Sequence, residues 1–460
     1  MQFFNILLNQ PGMKQSKKFI LLFPLFCLLF FTSGKAQKIW TLEDCILYAY
    51  ENNISIKQQA LNTQYNENTL NQSKYDQLNP FDNIILTWTG SPAATQAVTW
   101  RSHFEFKKSV AEIAPAKASP DFVNSARQIL AKTTPLKIEE DLVYYHSVNF
   151  TGLYPNTLYA YRVGNGNIWS EWFQFRTASR QAEPFSFLYF SDAQEEISSL
   201  WPRTLRAAIL KSPDARFMIH SGDLVEHKND ESEWDEWFNA GGWMFATIPS
   251  LPVTGNHEYM KEGGKKRSLS KFWRPQFTLP ENGIAGLVET SYYLDYQGTR
   301  FVVLNSNKKI KQQARWLENV LKHNPNHWTI IIFHHMVYTS SNLDRDNKKV
   351  RKHWKPLFDK FKVDLVLQGH DHVYSRGLSP GRTDGPVYLI SVSGPKIYNL
   401  ARAEWMDRAG ENIQLFQVIS ISKTVLSYKS ITVTGEVFDA FDLVKKVGTP
   451  RKLINRKPAE

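Results

Sequence analysis

Cysteine is nearly missing from this chain: there are two in 460 residues, Cys27 and Cys45. Cys27 lies inside an apolar run and lacks the small residues that precede a lipid-attachment cysteine, so the rest of the chain holds only Cys45. A lone thiol has no intramolecular partner, which excludes a disulfide-stapled scaffold. No histidine constellation accompanies Cys45, and in Leu42-Glu43-Asp44-Cys45-Ile46-Leu47 it reads as part of a helix's apolar face. Long apolar runs are missing too. Beyond the stretch from Phe19 to Phe31, itself short for a bilayer span, none is long enough to anchor the chain. Charge is not extreme: 55 basic against 44 acidic residues give +11, spread out, with no basic helix or RNA-binding aromatic signature. That argues against a nucleic-acid partner and stays compatible with small anionic substrates.

What is present is apolar and aromatic. Hydrophobic residues at 42% and aromatics at 13% supply a packed β or α/β core, and 460 residues call for two folding units plus a leader. Lys14, Lys17 and Lys18 precede the Phe19 to Phe31 run, and Thr32-Ser33-Gly34-Lys35-Ala36 follows it. Those are the three regions of a secretory signal peptide over residues 1–36, with Met13 a second candidate start and cleavage after Ala36. The expectation is an exported chain, periplasmic or extracellular if bacterial, without a stable membrane span after cleavage; its oligomeric state is not legible.

Residues 37–80 change character. A Thr41 N-cap signal opens a polar, Asn- and Gln-rich stretch that reads as one long helix over 40–78. Trp40-Thr41-Leu42-Glu43-Asp44 and Glu51-Asn52-Asn53-Ile54-Ser55-Ile56-Lys57 resemble the amino-terminal helix of the outer-membrane efflux channel family. Some forty residues of that architecture cannot form a channel. The reading is a fused leader, with a misassembled gene as the alternative.

Short alternating runs then recur over 81–180: Ile84-Ile85-Leu86-Thr87-Trp88, Gln96-Ala97-Val98-Thr99-Trp100 and Val143-Tyr144-Tyr145-His146-Ser147-Val148. Their rhythm predicts an antiparallel β-sandwich. The segments 153–163 and 169–177 resemble the end of a fibronectin type III domain, in which a tyrosine makes a corner hydrogen bond. A packing platform is the main expectation for this sandwich, with partner binding as the alternative.

From Pro184 on, apolar strands alternate with helices, expected near 197–210 and 232–243, which is α/β punctuation. Each apolar run ends in polar residues: Asp192 after 185–190, Gly222-Asp223 after 216–220, and Gly255-Asn256-His257-Glu258 after Pro252-Val253. Further on, His334-His335 follows 328–333 and Gly369-His370-Asp371-His372 follows 363–368. Spacings of 31 residues from Asp192 to Asp223 and 33 from Asp223 to Asn256 each accommodate one strand-helix-strand crossover. Five strand ends therefore meet at one crevice. Oxygen donors mixed with imidazoles suit first-row metals such as Fe, Mn and Zn, and a carboxylate between two ions can bridge them. Such a pair activates a water and clamps the oxygens of a phosphoryl displacement without a protein nucleophile.

This ordered set resembles the calcineurin-like metallophosphoesterases, specifically the purple acid phosphatase branch with its amino-terminal β-sandwich. The resemblance implies a four-layer metallophosphoesterase β-sandwich flanked by helices over 185–447, a basic tail at 448–460, and an N-terminal all-β fibronectin III-like sandwich. It implies two metal ions, Fe, Zn or Mn. Residues matching Asp192, Asp223 and His372 hold the first, and those matching Asp223, Asn256, His334 and His370 hold the second, with Asp223 bridging. The residue matching His257 faces substrate, where it binds phosphate or protonates the leaving oxygen, and Glu258 is expected to orient it rather than ligate. The implied activity is phosphomonoester hydrolysis by a metal-bound hydroxide. A phosphodiesterase or nucleotide hydrolase on the same site, or a non-catalytic binding protein with a structural metal centre, are the alternatives.

Two departures stand out. Asp192-Ala193-Gln194 replaces the family's Asp-x-Gly, and Glu226 stands where the purple enzymes carry a tyrosine ligand. Glu226 and the neighbouring His227 are candidate ligands or supports of ligands. His335 and Arg376 are candidate substrate contacts, with Tyr374 and Lys396 weaker ones, although His335, as the strand neighbour of His334, is expected to point away from the site. Trp234, Trp237 and Trp243 follow loose helical spacing and are expected in the core.

Overall fold

The structure is a computed structural model that describes residues 40–45, 48, 58–59, 62–63, 80–261, 264, 266–341, 347–446 and 451–456. The chain divides into two compact units, Met1–Lys74 and Tyr75–Glu460. In the first, the signal-peptide expectation and most of the expected helix fall outside the described residues. Residues 42–45 are helical, and the Asp44 amide donates to Thr41 Oγ1 at 3.0 Å while the Thr41 amide donates to Asp44 Oδ2 at 3.0 Å. That is the reciprocal cap the Thr signal implied. Cys45 is exposed and not on a buried apolar face.

The second unit contains two sandwiches. In the N-terminal one, Asp82–Thr87, Gln96–Ser102, Asp141–Phe150 and Lys132–Ile138 form one sheet in that order, and Arg127–Leu130, Val110–Pro115, Leu158–Gly164 and Phe173–Arg176 form the other. All pairings are antiparallel. Alternation drives Trp100, Val148, Tyr161, Val163 and Phe175 into the space between the sheets. Tyr159 Oη accepts the Tyr154 amide at 2.9 Å, the expected tyrosine corner.

The second sandwich has two seven-stranded mixed sheets. One runs Ser250–Pro252, Met218–His220, Phe185–Phe190, Leu415–Ile421, Val425–Thr432, Val437–Val444 and Lys452–Arg456. The other runs Tyr292–Tyr296, Thr299–Val303, Trp328–Ile332, Leu365–Gln368, Val387–Ile390, Tyr374–Gly377 and Met406–Gly410. Each sheet has a parallel block: the three strands at one edge of the first, and the four central strands from Thr299–Val303 to Val387–Ile390 of the other. Parallel neighbours need crossovers, here the helices Trp201–Lys211, Glu231–Gly241 and Ile310–Lys322 among others. The faces between the sheets meet in aromatic packing, with Phe187 stacked on Phe217 at 5.0 Å and Phe301 edge-on at 5.4 Å.

Trp234 and Trp237 are fully buried as expected, whereas Trp243 is 59% exposed. The reason is a helix break: Gly242, at φ 46°, ends one helix and starts a separate short one, Trp243–Thr247, so the 3.6-residue register does not carry through. The N-terminal sandwich is fastened to this layer. Arg101, 3% exposed, binds Asp82 within its own sheet at 2.7 Å and reaches Glu231 at 3.0 Å and Asp235 at 2.8 Å on the adjoining helix. Trp88 packs on Phe217 at 5.6 Å and Tyr161 donates to the Ala246 carbonyl at 2.7 Å.

Candidate metal centre

The parallel strands end on one rim, and each passes directly into a turn that carries a polar side chain. Asp192, Asp223, His370 and His372 all adopt left-handed backbone angles, with φ of 54°, 51°, 75° and 50°. Non-glycine residues rarely sit there, at a cost of roughly 1–3 kcal/mol each, and such strain persists where the surroundings over-determine it, typically at functional sites. Glycines let the turns close. A Cβ on Gly222, itself at φ 101°, would lie 2.7 Å from His334 Nδ1, and one on Gly369 would lie 2.3 Å from Asp192 Oδ2.

Two clusters result, Asp223, His334 and His370, and Asp192, Asp223 and His372, each with donor atoms within 4.8 Å of one another. Asp223 belongs to both. The chemistry of the donors fits cations. His334 Nδ1 lies 3.0 Å from the Ser221 carbonyl, so that nitrogen carries the proton and Nε2 presents its lone pair. That lone pair faces Asp223 Oδ2 at 2.9 Å, Asn256 Oδ1 at 3.1 Å and His370 Nδ1 at 3.1 Å. Acceptors crowded around one point in a buried site require a positive charge between them: a metal ion, or in its place a second proton on His334. Burial opposes charge on His334, yet Asp223 beside it outweighs this and raises its pKa to about 9. Burial equally opposes charge on Asp223, but His334 holds it well below the usual carboxylate range. For Asp192 burial dominates and raises the pKa despite His372 and His334. His372 repeats the tautomer logic, with Nδ1 at 2.9 Å from the Lys396 carbonyl and Nε2 at 3.5 Å from Asp192 Oδ1.

His257 lies at the edge of these clusters, its amide donating to Asp223 Oδ1 at 2.8 Å and its Nδ1 to the Glu226 carbonyl at 2.6 Å. The expected pairing of Glu258 with His257 is absent. Glu258 is fully buried and instead accepts the backbone amides of Asp223, Leu224 and Gly255 at 3.0, 2.8 and 2.6 Å, stapling two ligand-bearing turns together. Burial and the Asp223 charge raise its pKa to about 7.

His335 does not point away. Its ring lies 4.6 Å from that of His370, with Nδ1 at 2.8 Å from Ser306 Oγ, because both residues lie beyond the end of strand Trp328–Ile332, where strict alternation has lapsed. Arg376 and Tyr374 are not brought to the site. Both are buried, and Arg376 Nε and Tyr374 Oη bond the Asp439 carboxylate at 2.6 and 2.7 Å, since strand Tyr374–Gly377 lies buried beside Val387–Ile390 and is committed to the sheet packing. His227 is exposed and pairs with Glu233 at 2.6 Å, while Asp230 caps helix Glu231–Gly241. Glu226 pairs with Lys396 at 3.1 Å, and Lys396 also binds Glu195 at 2.6 Å. Two groups near the site carry no motif and escaped sequence reading. Asn305, after strand Thr299–Val303, bonds Tyr259 Oη at 2.8 Å, and the Tyr398 ring lies tilted against that of His372 at 4.6 Å.

Residues 81–177 match the family model described as purple acid phosphatase, N-terminal domain, and residues 185–374 match that of calcineurin-like phosphoesterase. The chain joins a purple acid phosphatase N-terminal domain to a calcineurin-like metallophosphoesterase domain. The chain is 27% identical over 336 residues to acid phosphatase type 7 of Mus musculus, covering 66% of this chain and 72% of the mouse protein. It is 26% identical over 335 residues to a protein of Arabidopsis thaliana named probable inactive purple acid phosphatase 1, covering 64% of this chain and 53% of that one. A solved purple acid phosphatase from yellow lupin seeds shares the fold at TM-score 0.67 and 18% identity, over 80% of this chain and 75% of that one. The match spans 51% of the length of the first mycobacterial relatives.

Proposed function

We propose that this metallophosphoesterase is an active hydrolase of phosphate monoesters, working with two metal ions of the Fe, Zn or Mn type. The observation that carries the reading is the convergence of lone pairs from Asp223, Asn256, His334 and His370 on one point, with Asp223 shared by a second cluster of Asp192 and His372. An open pair of cations supplies Lewis acidity to phosphoryl oxygens and acidifies a water, so no side-chain nucleophile is needed. Asp192, Asp223 and His372 would hold one ion and Asp223, Asn256, His334 and His370 the other, with Asp223 common to both sets.

His257 handles the proton. Its Nδ1 is committed to the Glu226 carbonyl, which leaves Nε2 as the atom that can carry a proton to the leaving oxygen. The ring is 13% exposed, open enough to meet substrate and too enclosed to swing freely. The 4.6 Å between the His335 and His370 rings supports a substrate contact for His335 in this reading. The N-terminal sandwich acts as a platform, fastened through Arg101. Export is part of the same proposal and rests on the sequence pattern of the leader at 1–36; mass spectrometry of the mature protein should find a terminus near Gln37.

The experiment is a panel of aryl phosphate monoesters and diesters assayed before and after metal stripping. Monoester turnover that is lost on stripping and regained on reloading supports the reading. A diester preference would move the assignment to the phosphodiesterase alternative, and metal-bound protein without turnover on either class would move it to the non-catalytic one.

A further inference from the structure

His334 and His335 are neighbours in sequence but are wired in opposite senses. His334 Nδ1 lies 3.0 Å from the Ser221 carbonyl, an oxygen that only accepts, so the proton sits on Nδ1 and Nε2 presents its lone pair. The partner of His335 Nδ1 is a hydroxyl instead, Ser306 Oγ at 2.8 Å. A hydroxyl can donate or accept, so its remaining bonds decide which it does.

Ser306 follows strand Thr299–Val303 and is 4% exposed. Its oxygen already accepts the His335 backbone amide at 3.1 Å, and among the described residues Ser306 Oγ has no third hydrogen-bond partner. If it accepted from Nδ1 as well, its own proton would be buried without an acceptor, which carries the penalty of any unmade buried hydrogen bond. Donating that proton to Nδ1 satisfies both groups. In the neutral ring Nδ1 is then the acceptor and Nε2 carries the proton. The backbone fixes the ring further, since the Gln368 side-chain amide donates to the His335 carbonyl at 2.8 Å and Gln368 ends the strand that leads into His370. The His335 ring stands 4.6 Å from that of His370 and 5.3 Å from that of His334.

This tautomer has a chemical consequence. A protonated Nε2 has no lone pair for a cation, so His335 beside the cluster is kept from coordinating through that atom. It carries an N–H instead, the group that a phosphoryl oxygen accepts, and it does so without net charge on the ring.

We propose that Ser306 is a positioning residue for phosphate recognition: its hydroxyl holds His335 in the Nε2–H form, which makes that histidine a neutral donor to a phosphoryl oxygen and not a metal ligand. The inference rests on the phosphoesterase reading above and adds the residue that sets the role of His335 within it.

The test uses full-length protein loaded with Zn2+ and labelled with nitrogen-15 histidine. Ring nitrogen shifts distinguish a protonated from a bare nitrogen, and the His335 signals are those lost in His335→Ala. Wild type should show Nδ1 bare and Nε2 protonated. A proton on Nδ1, in the other tautomer or in the imidazolium, would overturn the proposal. Calorimetric titration with inorganic phosphate gives the second readout. Ser306→Ala should weaken phosphate binding about fivefold, the worth of one hydrogen bond, with both ions retained. In a His335→Ala background the same change should cost less than about twofold, because the group through which Ser306 acts is gone. Unchanged phosphate affinity in Ser306→Ala, or an equal loss in both backgrounds, contradicts the proposal. Should Ser306→Ala fail to fold, the wild-type spectrum and His335→Ala decide: the Nε2–H form with phosphate weakened in His335→Ala supports it, and either result missing overturns it. A wild type that binds fewer than two Zn2+ ions contradicts the two-metal reading instead, and the spectrum still reports the tautomer.

Discussion

The N-terminal sandwich and the sandwich that follows it are both two-sheet structures with aromatic interiors, yet only the second gathers a site. In the first, every strand pair is antiparallel, so successive strand ends fall on opposite edges and their polar residues scatter. In the second, three strands of one sheet and four of the other run parallel, so their carboxyl ends share a rim and deliver Asp192, Asp223, Asn256, His334, His370 and His372 together. Strand direction, more than composition, separates the sandwich without such a cluster from the one that gathers the candidate site. The histidines make the same point. His146 in the first sandwich satisfies both nitrogens with Ser102 and Thr133 hydroxyls at 2.8 and 2.9 Å and is finished, whereas His334 presents its second nitrogen to acceptors.

The largest effect that would test this contrast comes from the shared carboxylate. Asp223→Asn should lower monoester turnover by at least about a thousandfold and reduce bound metal below two ions, while far-UV circular dichroism stays native. His257→Ala should cost about a hundredfold in kcat with metal content unchanged, because the part proposed for it is proton transfer.

Breaking the platform should affect stability and not chemistry. Arg101→Met should destabilise the protein by about 2–4 kcal/mol; the figure is below that for a fully buried pair because the partner carboxylates are 30–38% exposed. Turnover per folded molecule should hold, and urea titration alongside active-site counting checks both. A smaller, pH-dependent effect comes from His146 and His220, which burial lowers to about 4 and about 3. Both stay neutral in the fold while the unfolded chain takes up their protons below about 6.5, so their stability contribution is complete above that pH and lost as pH falls toward 4 and 3. Each should cost about 2 kcal/mol by pH 5. His220 sits among Phe190, Trp201, Trp237 and Phe245, so His220→Phe should flatten the acid limb of stability. Removal of residues 37–78 should change melting temperature and turnover least of all.

The residues that gather into the candidate site were legible because each follows an apolar strand run, and strand-end position is a one-dimensional property. Direction of a side chain is not. Arg376 reads as a loop-proximal cation, but Asp439 that claims it lies 63 residues away in another sheet. Glu258 follows His257 directly, yet its partners are backbone amides up to 35 residues distant, which no spacing encodes. His335 defied strand alternation because the strand had already ended. The clasp of Glu226, Lys396 and Glu195 joins three loops from two sheets and leaves no local pattern at all.

The most direct measurement for the central claim is elemental analysis of purified protein, paired with hydrolysis of an aryl phosphate monoester by the same preparation before and after chelation. The account predicts two ions per chain, turnover that disappears with them, and turnover that returns on reloading. Full turnover in protein proven free of metal would contradict it.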